Sequence, residues 1–370
     1  MASLNRYYLS ECPYYHVLGR TSKNRSPLTL FWTASGIEIR IQASELWVEL
    51  ETDYTLSEQW ISIYINDVHI SRFMLPKGKQ DLCIFRNMNP DKIKKVKIIK
   101  EVQAMPNDEN ALLQIHSLLT DGVFFPLEEK SMKLEVIGDS ITSGEGSIGA
   151  KEEEDWIPMF FSASNTYSTM LAKELDADLR IISQSGWGVL CSWDNNPHAN
   201  IPDIYEKVCG AAYGQRNLEL GAQDNYDFSS WQPDIIVINL GTNDGVAFEQ
   251  PEWIDEKTGE RFWQKILEDN TFDPESITRF EKAVINFLYK LRKNNKNARI
   301  LWVYGMLGYV MRPYIQHAID VYQKETNDTF VNYLDLPSCT PLQEGARHHP
   351  GIESHRLAAK TIFEFIKQNK

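Results

Sequence analysis

The chain is 370 residues long, 42% apolar and 24% charged, with 38 Lys and Arg against 51 Asp and Glu for a formal net charge of −13. That length and composition belong to a globular protein with room for two cored domains. The acidic balance argues against nucleic acid or an anionic membrane as partner, because phosphate surfaces need clustered Lys and Arg.

The opening residues, Met1 to His16, lack the unbroken apolar core of a secretory signal, and no stretch reaches the roughly 20 apolar residues of a membrane span. Cys12, Cys83, Cys191, Cys209 and Cys339 are odd in number, widely spaced and without a C-x-x-C pair. Neither a disulfide framework nor a zinc site is indicated, and a cytoplasmic location is expected.

From Tyr14 to about Phe125 the chain is a succession of short β-branched and aromatic runs: 28–31, 37–41, 46–50, 60–65, 69–74, 81–85, 95–99 and 112–119. Turns such as Ala34-Ser35-Gly36, Asn66-Asp67 and Pro76-Lys77-Gly78 separate them. Strands at this spacing, with no helix between, predict an antiparallel sandwich of jelly-roll type over residues 1–130. Trp32, Trp47 and Trp60 could stack on sugar rings, but packing on alternate faces of the sandwich is the simpler reading.

A charged bridge, Pro126 to Ser131, precedes a change of period. Strands at 133–138, 179–183, 234–240, 299–304 and 330–334 now alternate with helices at 166–175, 276–293, 314–324 and 352–367, around a loop-rich insertion at about 191–232. Near-continuous apolar strands with intervening helices predict a mostly parallel sheet covered on both faces, residues 131–370.

Three motifs at strand ends and one before the last helix are candidates for chemistry. Gly138-Asp139-Ser140 ends the first strand and offers a hydroxyl, although such turns are common and Ser is a good helix cap. Ser185-Gly186-Trp187-Gly188 ends the second with a bare backbone amide. Gly241-Thr242-Asn243-Asp244 ends the third with a side-chain amide able to donate to an oxyanion, or merely to bond its own backbone. His348-His349-Pro350 brings imidazole before the last helix, where it could equally be a helix entry; His355 reads as structural.

Each motif is weak alone, but their combination and order resemble the SGNH or GDSL hydrolases over about 131–370. The resemblance implies a flavodoxin-like three-layer fold. It also implies Ser140 as nucleophile, Gly186 and Asn243 as oxyanion donors beside the Ser140 amide, and His349 as base. A serine hydroxyl needs such a base to take its proton, and the tetrahedral oxyanion needs fixed donors, so the residue types fit the chemistry.

One departure stands out. The family usually places an aspartate two or three residues before the histidine, where this chain has Arg347 and Ala346. A backbone carbonyl or a distant carboxylate such as Glu344 or Asp335 must orient the imidazole, or the enzyme works as a Ser-His dyad. His348 is the alternative base, although His-Pro pairing favours His349.

A sandwich preceding an SGNH domain looks like carbohydrate esterase family 2, which implies removal of acetyl groups from xylan- or mannan-derived sugars. An acetylated oligosaccharide would be the partner, and without an export signal an imported one. Trp187, Trp193, Trp231, Tyr304 and Tyr309 are candidates for a sugar platform, with Asp139 on the substrate side, although core packing is the commoner fate of each aromatic. The rival readings are a non-catalytic carbohydrate-binding protein and another acyl hydrolase of thioesterase or lipase type.

No cofactor or metal is expected. Gly144-Glu145-Gly146-Ser147-Ile148-Gly149 fits G-x-G-x-x-G, but it begins beyond the strand and runs into the acidic Lys151 to Asp155, which would repel pyrophosphate. His348, His349 and His355 have no metal-site spacing.

Overall fold

The computed structural model describes residues 3–369. They form two compact units. One comprises the chain up to Ser131 with Trp156–Ser164 and Lys207–Tyr226; the other comprises Met132–Asp155, Asn165–Glu206 and the chain from Asp227 onward.

The first unit is an antiparallel sandwich. Its strands are β1 (Asn5–Tyr8), β2 (His16–Leu18), β3 (Leu28–Thr29), β4 (Gly36–Gln42), β5 (Leu46–Asp53), β6 (Gln59–Ile65), β7 (Val68–Leu75), β8 (Gly78–Phe85), β9 (Ile93–Lys100), β10 (Leu112–Thr120) and β11 (Val123–Phe125). One sheet runs β1-β10-β5-β8 with β3 on β10, the other β11-β4-β9-β6-β7 with β2 on β4. Strand β5 shows the cause: Leu46, Val48 and Leu50 are buried while Trp47, Glu49 and Glu51 are only half-buried, the period-two pattern of a strand with one dry face. Those three meet Ile39, Ile41, Ile61, Ile63 and Ile98 of the other sheet in one core.

Long-range polar anchors fasten the later segments to this unit. Glu101, fully buried, accepts from the Ser162 hydroxyl at 2.9 Å and the Ser164 amide at 3.2 Å. Trp32 is also fully buried, and its indole donates to the Val208 carbonyl at 2.7 Å. Trp47 and Trp60 lie half-buried and donate to Glu45 and Glu58.

The second unit holds a five-stranded parallel sheet in the order β13-β12-β14-β17-β18, from β12 (Met132–Gly138), β13 (Ala177–Ser183), β14 (Ile235–Asn239), β17 (Arg299–Tyr304) and β18 (Val331–Asp335). The small hairpin β15 (Trp253–Ile254) and β16 (Arg261–Phe262) lies apart from it. All of β14 is buried, as a strand covered on both faces must be. The helix Pro274–Asn294 begins with Asp273 accepting from the Ser276 amide at 3.0 Å and Pro274 at its first turn, and it buries Phe280, Val284, Phe287, Leu288 and Leu291 on one stripe.

Because β12 lies between β13 and β14, the chain leaves it first to one side and then to the other. A crevice opens at the carboxyl ends of strands where the order reverses in this way, which is where open α/β sheets hold their ligands. No helix among the described residues is long and apolar enough to cross a membrane.

Candidate active site

Strand β12 delivers Ser140 to that edge. Asp139 ends the strand and caps the short helix Ser140–Ser143, its carboxylate accepting from the Ile141 amide at 3.0 Å. The first amides of a helix have no acceptor within it, so the Ser140 N–H is free of the helix's own hydrogen bonds.

His349 arrives from the loop before the helix Ile352–Gln368. Its Nε2 lies 2.9 Å from the Ser140 Oγ, and its Nδ1 lies 2.8 Å from the Arg347 carbonyl oxygen. A carbonyl can only accept, so Nδ1 carries the proton and Nε2 is left to accept from the serine hydroxyl. The orienting group is thus a main-chain carbonyl. Neither Glu344 nor Asp335 takes that place: Glu344 pairs with Lys151 at 3.0 Å and Asp335 with Arg312 at 2.9 Å.

The other two histidines point elsewhere. His348 is largely exposed and turns to Glu154 at 3.3 Å and Glu344 at 3.7 Å. His355 is fully buried, accepts from the Tyr167 amide at 3.1 Å and stacks on the Tyr167 ring. Burial pushes its imidazole down to about 3, so it is neutral.

The candidate oxyanion donors flank the same edge. Asn243, at the start of the helix Thr242–Ala247 after β14, directs its Nδ2 toward the Trp187 carbonyl at 3.2 Å and Asp139 at 3.4 Å. Gly186 follows β13 with φ +80°, and a Cβ there would lie 3.0 Å from Trp193 Cδ1. A side chain would strain that backbone and crowd the indole.

Asp244 braces the loop from beneath, accepting from the amides of Val189 at 2.9 Å and Leu190 at 2.8 Å. Burial pushes its carboxyl up to about 6 despite these donors. Burial likewise pushes Asp139 up to about 7, opposed by the Ile141 amide and reinforced by the charges of Asp244 and Glu145.

The remaining sugar-platform candidates separate. Trp193 is 48% exposed and Tyr309 37%, the latter donating from its hydroxyl to the Leu336 carbonyl. Trp187 and Tyr304 are buried, and burial raises the Tyr304 hydroxyl to about 12. Trp231 is buried with its indole donating to Asp178, at the amino end of β13 and therefore at the opposite edge of the sheet from Ser140.

Two further residues enter the site in roles that the sequence motifs do not suggest. Arg347 supplies the carbonyl, and its Nε donates to the buried Glu145 at 2.9 Å. Glu145 is the first of the three variable residues inside the G-x-G-x-x-G pattern.

A family model described as GDSL-like lipase/acylhydrolase matches residues 136–357. The structure of an acetyl xylan esterase from the rumen bacterium Butyrivibrio proteoclasticus is similar to this chain with 44% identity and a TM-score of 0.97, covering 99% of this chain and 98% of that one. An acetylxylan esterase/glucomannan deacetylase of Cellvibrio japonicus is 28% identical over 235 residues, 63% of this chain and 62% of that protein. The chain therefore spans less than two thirds of that curated relative. A family two carbohydrate esterase from Clostridium thermocellum, solved in complex with cellohexaose, shares the fold at a TM-score of 0.79 and 21% identity, over 96% of this chain and 98% of that one.

Proposed function

The chain belongs to the GDSL-like lipase/acylhydrolase family, and within it we propose a carbohydrate acetylesterase that removes O-acetyl groups from xylan- or mannan-type oligosaccharides through an acetyl-enzyme on Ser140. The observation that carries the chemistry is the contact of 2.9 Å between Ser140 Oγ and His349 Nε2, with Nδ1 held at 2.8 Å by the Arg347 carbonyl. The acetyl xylan esterase at 44% identity and the deacetylase relative support the substrate class.

Ser140 Oγ attacks the acetyl carbonyl carbon as its proton passes to His349 Nε2. The carbonyl oxygen becomes an oxyanion within reach of the Ser140 and Gly186 amides and the Asn243 Nδ2. Collapse breaks the bond to the sugar oxygen, which leaves with the proton from His349. Water, deprotonated by the same imidazole, then attacks the acetyl-serine, releases acetate and restores the Ser140 hydroxyl. A carbonyl at Nδ1 fixes the tautomer as a carboxylate would but brings only a partial charge, so it stabilises the imidazolium less.

The deciding experiment is mass spectrometry of acetylated xylo- and manno-oligosaccharides before and after incubation, with acetate measured in parallel. Loss of acetyl groups is expected with the wild-type chain and not with Ser140→Ala or His349→Ala. Deacetylation that survives Ser140→Ala overturns the acetyl-enzyme, and an inert wild type overturns the activity.

A further inference from the structure

Arg347 and His348 both have left-handed backbone, φ 57° and 54°. Residues with side chains seldom occupy that region, so surrounding structure must hold them there. The turn is what aims the Arg347 carbonyl at His349 Nδ1. Three bonds to the segment after Ser140 hold it: the Arg347 amide donates to the Glu153 carbonyl at 2.8 Å, Nη1 to the Glu154 carbonyl at 2.8 Å, and Nε to Glu145 Oε1 at 2.9 Å.

That same Glu145 Oε1 lies 3.8 Å from His349 Nε2, the nitrogen that faces Ser140, and the Glu145 side chain is only 4% exposed. One buried carboxylate thus grips the guanidinium whose main chain fixes the tautomer, and also faces the ring edge where positive charge develops. We propose that Glu145 and Arg347 together stand in for the missing orienting aspartate, Arg347 setting the imidazole through its carbonyl and Glu145 supplying negative charge from the opposite edge of the ring. Both are positioning residues, and the inference rests on His349 being the base.

Glu145 Oε1 faces the imidazole at 3.8 Å and holds the Arg347 guanidinium at 2.9 Å, so each charge offsets the field of the other, and removing either exposes its partner. The other groups around His349 are the Ser140 hydroxyl, Asp139 beyond it and neutral His355 behind it; His348 directs its ring to Glu154 and Glu344. None of these is substituted when the pair is changed, and Asp139, which the charge of Glu145 helps to push up, follows the imidazole in the same direction. A merely structural pair would slow the enzyme in either variant without moving its pH dependence in opposite directions.

The test is kcat and KM for 4-nitrophenyl acetate across pH with the full chain. For Glu145→Gln the acid limb of kcat/KM should move to lower pH by on the order of one unit. In the same variant kcat should fall about tenfold or more, with KM changed less than about twofold. For Arg347→Met the limb should move to higher pH, and the double variant should return it close to the wild-type position while remaining slow. Arg347→Lys should keep the limb and lose part of kcat, because an ammonium keeps the charge without the guanidinium fork. Limbs that move in the same direction, or not at all, or a loss confined to KM, would overturn the proposal. If Glu145→Gln does not fold, Arg347→Met alone still decides, since its limb must rise. Ser140→Ala and His349→Ala in the same assay separate the two readings: activity surviving there refutes the proposed function, whereas inert controls with unmoved limbs refute only the pair.

Discussion

Gly146 and His349 are packed so closely that a methyl group on the glycine would lie 2.9 Å from the His349 Cβ and 2.2 Å from the Ala346 carbonyl oxygen. Gly146 also has φ +68° and accepts from the Ala346 amide at 2.9 Å, so the serine loop forms the seat of the histidine loop. This accounts for a glycine at position 146. Gly146→Ala should push His349 off Ser140 and reduce kcat by about a hundredfold, the usual penalty for a displacement near 1 Å in a reacting pair. KM should change little, and steady-state kinetics beside a thermal melt check the split.

Asn243 gives a second kinetic expectation. Its Nδ2 lies near the Trp187 carbonyl and Asp139, which keeps the amide at the sheet edge. If it donates to the oxyanion, Asn243→Ala should lower kcat by about 10²–10³ with KM nearly constant, as when such donors are deleted elsewhere. An equal loss through KM would instead assign Asn243 to substrate binding.

Which parts of this structure could be read in advance follows from how local their causes are. The alternation of Leu46, Val48 and Leu50 against Trp47, Glu49 and Glu51 fixes β5 within the strand itself, and the stripe from Phe280 to Leu291 does the same for the helix Pro274–Asn294. Strands β1, β2 and β11 have four, three and three residues, too few to show a period, and they exist because β10 and β4 offer them edges. That residues 156–164 and 207–226 belong to the sandwich unit depends on single long-range bonds, such as those of Glu101 and Trp32. Ser140, Gly186 and Asn243 stand out in the sequence because turn chemistry marks strand ends, and His349 because His-Pro precedes the last helix. That a backbone carbonyl could orient the imidazole is one of the readings the sequence leaves open; that it is the one at Arg347 is not legible, because left-handed backbone has no signature in an arginine and is held here by Glu145, Glu153 and Glu154 some 200 residues away in sequence.

His355 makes the fold sensitive to acid. Its ordinary unfolded value is about 6.5, whereas burial holds it down to about 3 in the folded chain. Between those values the unfolded chain binds the extra proton, so the contribution of His355 to stability is lost as pH falls through this window. His355→Leu leaves the Tyr167 amide unpaired and should cost about 1–3 kcal/mol at pH 7.5. That deficit should shrink toward pH 4.5, because the variant has no imidazole to protonate. Asp139 and Asp244, raised to about 7 and 6, gain stability as pH falls over an overlapping range, but they are common to both proteins and cancel in the difference. Denaturant melts at the two pH values measure it, and a deficit that grows in acid would refute the buried neutral imidazole.

Trp193 offers a test of the proposed sugar platform. It is 48% exposed, its amide donates to the Gly186 carbonyl at 2.9 Å, and a Cβ on that glycine would lie 3.0 Å from its Cδ1. If this ring belongs to the sugar platform, a bound acetylated sugar stacks on it, whereas an aryl acetate brings no sugar. Trp193→Ala should therefore raise KM for acetylated xylo-oligosaccharides by about five- to thirtyfold, the equivalent of about 1–2 kcal/mol of stacking. The same variant should lose far less on 4-nitrophenyl acetate. Parallel losses on both esters would mean that Trp193 acts by holding Gly186 in place, and the sugar platform would then have to be sought at Tyr309, the other exposed aromatic among the candidates.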